Sequence, residues 1–320
     1  MPTSVLIIGA GLTGLTAAHE LTQTGCNVTL LDKGRGVGGR LATRRIDAAR
    51  LDHGAQYFTV RTPEFRHLVD ELLQQGIVHE WAPVEEDQEH PRYVGSQGMN
   101  ALAKYLARNL DVRTGERVIR IAAEGVGCRV WTESGQEYRA DQLILTCPVP
   151  QALALLADSD LTLTDTETEA LKKIVYQPCL AALATLAQPT RLPAPGLLRF
   201  SEGPVSLVAD NQQKGISPDE PSVTIHASHA FSQTHLEDGL DAVGRHLLQA
   251  VSEWVPADTI RTVQVHRWRY SFAEQRHPEP FLEVNKPLPM LLGGDAFGGW
   301  GNVEGAFLSG LAMARHLTTE

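Results

Sequence analysis

The stretch VLIIGAGLTGLTAAHELTQTGCNVTLLDKGRGVGGR, residues 5–40, decides how this chain folds. It opens on Val5, Leu6, Ile7 and Ile8, a continuous apolar run of the kind buried on both faces of a parallel sheet. Gly9, Gly11 and Gly14 follow at the spacing G-x-G-x-x-G, with Leu12 and Thr13 between them. Residues 15–24 carry apolar side chains at helical period, and Gly25 stops them. Residues 27–31 read as a second strand ending at Asp32. Strand, glycine turn, helix and strand within about 30 residues make a β-α-β unit. Gly9 permits the tight turn, Gly11 lets a pyrophosphate approach the backbone, and Gly14 lets helix and strand close on each other. The helix N-terminus offers unpaired N–H groups and the positive end of a dipole to an anion. Asp32 stands where an acid accepts hydrogen bonds from an adenosine ribose. The pattern predicts a dinucleotide site.

A site for NAD would be complete at that acid, yet the chain continues Lys33-Gly34-Arg35-Gly36-Val37-Gly38-Gly39-Arg40. A second close approach of backbone to ligand explains Gly38 and Gly39, and Arg40 would bring charge near the pyrophosphate. The extra segment suits a longer cofactor, FAD. The rival reading is NADP, with Lys33 or Arg35 meeting a 2′-phosphate. At the other end, LLGGDAFGGWGNVEGAFLSGLAMA, residues 291–314, gives a buried strand, Gly293-Gly294-Asp295, a glycine-rich turn, and a helix opening near Val303, Glu304 and Ala306. The glycine–arginine stretch and this C-terminal segment both resemble the amine-oxidase branch of FAD enzymes. There the aspartate contacts the ribityl or pyrophosphate part, and the helix N-terminus faces the pyrimidine edge of the flavin.

Bulk properties exclude other classes. At 320 residues the chain has room for one large domain or two joined ones. Apolar residues are 42% and charged residues 21%, ordinary for a globular protein, and the formal net charge of −10 argues against a nucleic-acid partner. Cys26, Cys128, Cys147 and Cys179 are scattered without a C-x-x-C pair, so neither a disulfide framework nor a zinc site is expected, and a reducing, cytoplasmic setting is. No run of about 18 apolar residues predicts a membrane span, and no basic segment precedes residue 5 to make a signal peptide.

Between the two glycine-rich ends, helices are expected over 63–75, 99–109 and 240–254, with strands over 116–122, 129–133, 141–146, 205–209, 223–227 and 262–270. Pro148 and Pro150 are expected to end regular structure. The fold class predicted is α/β: a Rossmann-like FAD-binding domain with a mixed α+β substrate domain on an antiparallel sheet. The expected boundaries are 1–60, 95–150 and 286–320 for the first, and 61–94 and 151–285 for the second.

Six further stretches narrow the resemblance: LDHGAQYFTVRTPEF (51–65), YVGSQGMNAL (93–102), LTCPVPQAL (145–153), VADNQQKG (208–215), VTIHASHAFSQTHLE (223–237) and VHRWRYS (265–271). In this order they resemble the renalase-like FAD-dependent oxidoreductases over nearly the whole chain. The resemblance implies noncovalent FAD and oxidation of 2- or 6-dihydro isomers of NAD(P), with electrons passed to O2 to give hydrogen peroxide. It implies FAD contacts at Leu12, Thr13, Lys33 and Arg40, with Gly54, Ala55 and Gln56 beside the flavin ring. Val118 would meet adenine through its backbone, and Asp295, Val303, Glu304 and Ala306 would complete the set. His53 departs from the pattern, standing where an apolar residue is expected. Two alternatives stay open: an amine or amino-acid oxidase or dehydrogenase on the same fold, and a flavin-binding protein without turnover.

Hydride loss from a dihydropyridine restores an aromatic ring, so the site needs a flat pocket rather than a strong base. His266, Trp268 and Tyr270 alternate onto one face of a strand, with Arg267 and Arg269 on the other. They, with Tyr57, Trp300 and His226, are the substrate-pocket candidates. No residue is assigned as a catalytic acid or base. His226 and His229, read as one strand, would face opposite ways and make no metal pair. Asp210 and Asn211 read first as a turn, second as substrate wall.

Overall fold

The structure, a computed structural model, describes residues 2–81 and 90–319. The chain divides into two units, one of Met1–Gly39, Ala103–Val175 and Ala273–Glu320, the other of Arg40–Leu102 and Tyr176–Phe272.

The first unit is the Rossmann-like one. Its sheet of six strands runs in the order Phe281–Val284, Met290–Gly293, Gln142–Leu145, Ser4–Ile8, Asn27–Asp32, Asp111–Thr114. All neighbours are parallel except the first pair. Ile7 lies in register with Leu30 on one side and Ile144 on the other, and all three are fully buried. That is why the strand reads as unbroken apolar sequence: both faces are covered. Helix Leu12–Gln23 follows the first strand, and helix Val303–Thr319 packs against it. The two helices meet at Gly310, where a Cβ would stand 2.3 Å from the Thr13 carbonyl oxygen. A smaller antiparallel sheet, Glu137–Ala140, Gly127–Thr132 and Val118–Glu124, completes the unit.

The second unit is built on five strands in the order Leu197–Arg199, Val205–Asp210, Ser222–Ala227, Val175–Leu186, Ile260–Gln275. The first four pair antiparallel. Helix Leu240–Ala250 covers one face, its Val243, Leu247 and Leu248 sharing a buried cluster with Leu180, Ala182, Val223 and Ile225. Burying such side chains contributes about 1.5–3 kcal/mol each. Hairpins Thr43–Ile46 with Ala49–Asp52, and Val78–Glu80 with Tyr93–Gly95, belong to this unit too.

Several expectations shift. Segment 40–60, assigned to the nucleotide domain, lies in the second unit because its hairpin is tied to that unit's sheet. Leu51 shares a buried cluster with Leu183, and Thr224 Oγ1 donates to the Asp52 carbonyl at 2.9 Å. Residues 151–174, assigned to the substrate domain, lie in the first unit, where Ile121 N donates to Ser159 Oγ at 2.9 Å. Pro148 and Pro150 do not end regular structure: they start helix Val149–Asp158, since proline suits the first turn, whose N–H groups have no helical acceptor. The helices expected over 99–109 and 240–254 end sooner, at Leu106 and Ala250. Strand Val175–Leu186 and helix Asp165–Lys172, which Thr164 and Glu167 close with a capping box, were not foreseen.

Candidate functional site

In the first unit the glycine turn is shaped as the spacing predicts. Gly9 has φ +114°, and a Cβ on Gly14 would lie 2.0 Å from the Gly9 carbonyl oxygen. Gly11 differs from both. Its φ of −75° suits any residue, and a Cβ there would meet no atom within 4 Å. The space in front of Gly11 is open, and the helix behind it starts with no side-chain cap and no acid in its first turn. Its first N–H groups therefore face that space without an intrahelical partner.

Asp32 braces the cradle. One carboxylate oxygen accepts from Ala10 N at 2.7 Å, the other from Gly34 N at 2.6 Å. Each oxygen keeps a second lone pair for a hydroxyl. The second glycine cluster lies along the first: Gly38 N donates to the Ala10 carbonyl at 2.8 Å, and Gly11 and Gly38 form a parallel bridge. Gly38 and Gly39 have φ +112° and +54°, and a Cβ on Gly39 would approach the Gly11 Cα to 3.5 Å. These residues fit the pyrophosphate of an extended dinucleotide. At the C-terminal end Gly294 N donates to Ser309 Oγ at 2.9 Å, Asp295 is 9% exposed, and Glu304 is buried. Asn302 Oδ1 accepts from Gly305 N at 2.9 Å and so takes one N–H of that helix's first turn.

The second unit holds a cluster that the sequence hid. Lys214 and Asp52 are fully buried and paired at 2.7 Å. Asp52 also accepts from Met99 N at 2.9 Å and from Thr43 Oγ1. Lys214 Nζ donates to Gln56 Oε1 at 3.3 Å, which fixes which way the amide points. Gln56 Nε2 then donates to the Asp52 carbonyl at 2.7 Å and faces His226 Nε2 at 3.3 Å. His226 must accept there and carry its proton on Nδ1. Burial, then the charge on Lys214, pushes its pKa down to about 4. Burial lowers Lys214 as well, against the pull of Asp52.

Beside this lies an aromatic stack. His53 packs on Trp268 at 5.4 Å and against His266 at 4.8 Å, and His266 meets Trp268 edge-on at 4.3 Å. Trp268 Nε1 donates to the His53 carbonyl at 2.6 Å. Burial, then the neighbouring His266, brings His53 to about 3, and burial, then Arg44, brings His266 to about 4. All three imidazoles are neutral at neutral pH. The three rings form a triangle, each in contact with the other two.

The predicted pocket residues are thus divided. His226, His266 and Trp268 come together with Gln56 and His53. Tyr270 instead meets Tyr176 at 5.7 Å, and Arg40 lies 5.9 Å from that same Tyr176 ring. Arg267 and Arg269 face the other way, toward Asp238 and Glu237. Tyr57 packs on Trp81 at 6.2 Å. Trp300 belongs to the first unit and is 38% exposed. Lys33 Nζ donates to Gln151 at 2.8 Å. Val118 opens the strand Val118–Glu124. His229 is not on a strand with His226: it starts helix His229–Thr234 and faces the Pro178 carbonyl. Asp210 and Asn211 form a turn, Asp210 Oδ1 accepting from Gln212 N and Gln213 N, and that turn delivers Lys214. Among the described residues no His, Cys, Asp and Glu group could hold a metal ion, and no helix is long and apolar enough to cross a membrane.

A glycine cradle for an extended dinucleotide, on a Rossmann-like sheet returning at the C-terminus, defines a class, and comparison with known proteins agrees with it. Residues 77–318 match the flavin containing amine oxidoreductase family, and residues 7–72 match the NAD(P)-binding Rossmann-like domain. The chain belongs to the flavin containing amine oxidoreductases and is an enzyme of that family. It is 28% identical to renalase of Mus musculus over 98% of both chains. Coproporphyrinogen III oxidase of Mycobacterium leprae (strain TN) is 32% identical over 48% of this chain and 36% of its own length. In fold, a putative protoporphyrinogen oxidase from Exiguobacterium sp. 255-15 superposes with a TM-score of 0.75 at 14% identity over 100% of this chain and 99% of its own. Putrescine oxidase superposes with a TM-score of 0.74 at 15% identity over the full length of both.

Proposed function

We propose that this enzyme binds FAD noncovalently and oxidises 2- or 6-dihydronicotinamide nucleotides, with O2 as electron acceptor and hydrogen peroxide as product. When bound, FAD supplies a hydride acceptor at N5 and returns electrons to oxygen. In this reading the glycines 9, 11, 14, 38 and 39 with Asp32 hold the dinucleotide part, and Gly54, Ala55 and Gln56 lie at the flavin ring. Asp295, Val303, Glu304 and Ala306 complete the grip.

One observation carries the choice of substrate: the His53–His266–Trp268 cluster is aromatic and uncharged, with His53 and Trp268 near parallel at 23° and His266 edge-on to both. It suits stacking of a planar ring. Its imidazoles, with pKa values of about 3 to 4, are poor bases for stripping a proton from an ammonium. The cation closest to Gln56 is already consumed by Asp52. A dihydropyridine needs no base, because the ring proton stays in place while hydride leaves. The full-length likeness to renalase supports the same reading. Family membership supports a second one, oxidation of an amine. The free cysteines are in keeping with a reducing, cytoplasmic setting.

Anaerobic stopped-flow mixing of the yellow enzyme with 6-dihydroNAD, NADH and a panel of amines separates these readings. Rapid bleaching by the dihydro isomer is expected; bleaching by amines alone rejects the proposal. A purified protein that stays colourless after incubation with FAD rejects the cofactor as well.

A further inference from the structure

We infer that Tyr57, Arg92 and Arg199 form an anion subsite that takes a phosphate group of the substrate. This rests on the dihydronicotinamide reading for the identity of the ligand, though not for the existence of the site. Arg92 lies 5.3 Å and Arg199 5.5 Å from the centre of the same Tyr57 ring. Arg199 also donates to the Tyr57 phenol oxygen. Among the described residues neither guanidinium pairs with a carboxylate.

Two like charges near one ring repel, and a bound anion lowers that repulsion. The donors suit phosphate. A guanidinium presents a planar fork of N–H groups that matches phosphate oxygens. The phenol, having accepted from Arg199, still has its own proton to donate. The platform is held rather than loose. Tyr57 rests on Trp81, which is 3% exposed and donates from Nε1 to the Pro195 carbonyl at 3.0 Å. Arg199 ends strand Leu197–Arg199, paired to Leu207, and the Arg92 carbonyl accepts from Trp81 N at 2.7 Å. Tyr57 follows directly on Gln56, the residue proposed to meet the flavin ring.

The test uses flavin-loaded enzyme, so that the glycine cradle is filled. Bleaching is followed with 6-dihydronicotinamide riboside, which lacks phosphate, and with the mononucleotide and dinucleotide. Arg92→Gln and Arg199→Gln should each raise the half-saturating concentration of the phosphorylated forms by about tenfold. The limiting bleaching rate and the riboside should be unaffected. Calorimetric titration with inorganic pyrophosphate should show binding that both variants lose. A variant effect of equal size on the riboside, or none on the dinucleotide, overturns the subsite. If no dihydronicotinamide bleaches the flavin, the proposed substrate is wrong and the pyrophosphate titration alone decides the site: binding lost in both variants sustains it, and binding absent or unchanged in them ends it.

Discussion

At the scale of single residues the second unit is organised by one buried ion pair. Lys214 and Asp52 have no exposed surface, and together they orient Gln56 and, through it, His226. Removing one partner leaves a charge in the interior without compensation. Lys214→Met should therefore cost about 3–5 kcal/mol of stability, read as a lower midpoint in urea unfolding. Asp52→Asn combined with Lys214→Met should recover much of that loss; a double variant no more stable than the single one would show that the pair is not the cause. The histidines add a pH dependence. His53, His226 and His266 resist protonation when folded, with pKa values of about 3, 4 and 4 against an ordinary 6.5. Below pH 6.5 the unfolded chain takes up protons that the folded one refuses, so stability is full above that pH and falls toward pH 4. The buried His53 contributes up to about 1.4 kcal/mol per pH unit in that window, and the partly exposed His226 and His266 contribute less. Unfolding midpoints measured from pH 8 to pH 4.5 check the sign, and substituting His53 by Met should flatten the slope.

Among the elements, the turn into helix Leu12–Gln23 separates binding from folding. Gly14 touches the Gly9 carbonyl, so Gly14→Ala should destabilise the fold by about 1–3 kcal/mol and lose flavin with it. Gly11 faces open space in an ordinary conformation. Gly11→Ala should leave the thermal midpoint of the flavin-free protein unchanged while weakening FAD binding by about tenfold or more. Fluorescence titration with FAD reads the second effect and a thermal scan the first; a variant that binds FAD normally would place the pyrophosphate elsewhere. This turn was legible in the sequence because each requirement is local: strand, glycines, helix and acid lie within one β-α-β unit. The helix at Val149 is not legible because prolines at 148 and 150 look like terminators in sequence, whereas in a first turn they cost no hydrogen bond. Strand Val175–Leu186 escaped because it is buried along most of its length and carries no alternating pattern.

For the molecule as a whole, the chain crosses between its two units repeatedly, and each unit is closed by segments far apart in sequence. Strand Met290–Gly293 stands between Gln142–Leu145 and Phe281–Val284 in the six-stranded sheet, and helix Val303–Thr319 covers the first helix at Gly310. Truncation before residue 286 removes both and leaves an apolar strand as an open edge. Such a protein should be insoluble or aggregate on expression; a soluble, flavin-binding truncation would refute this account of the fold.

From sequence alone the Rossmann-like unit, its glycine turn and the return of the C-terminus were determined, since they rest on period, spacing and turn chemistry over short stretches. Only tertiary structure decided that Lys214 meets Asp52 across 162 residues of sequence, that His53 packs against both His266 and Trp268, and that two arginines share one tyrosine. The reason is physical. A lysine in a glycine-rich turn carries no local mark of burial; its environment depends on which strands pair and in what register, and that is set by packing across the whole sheet.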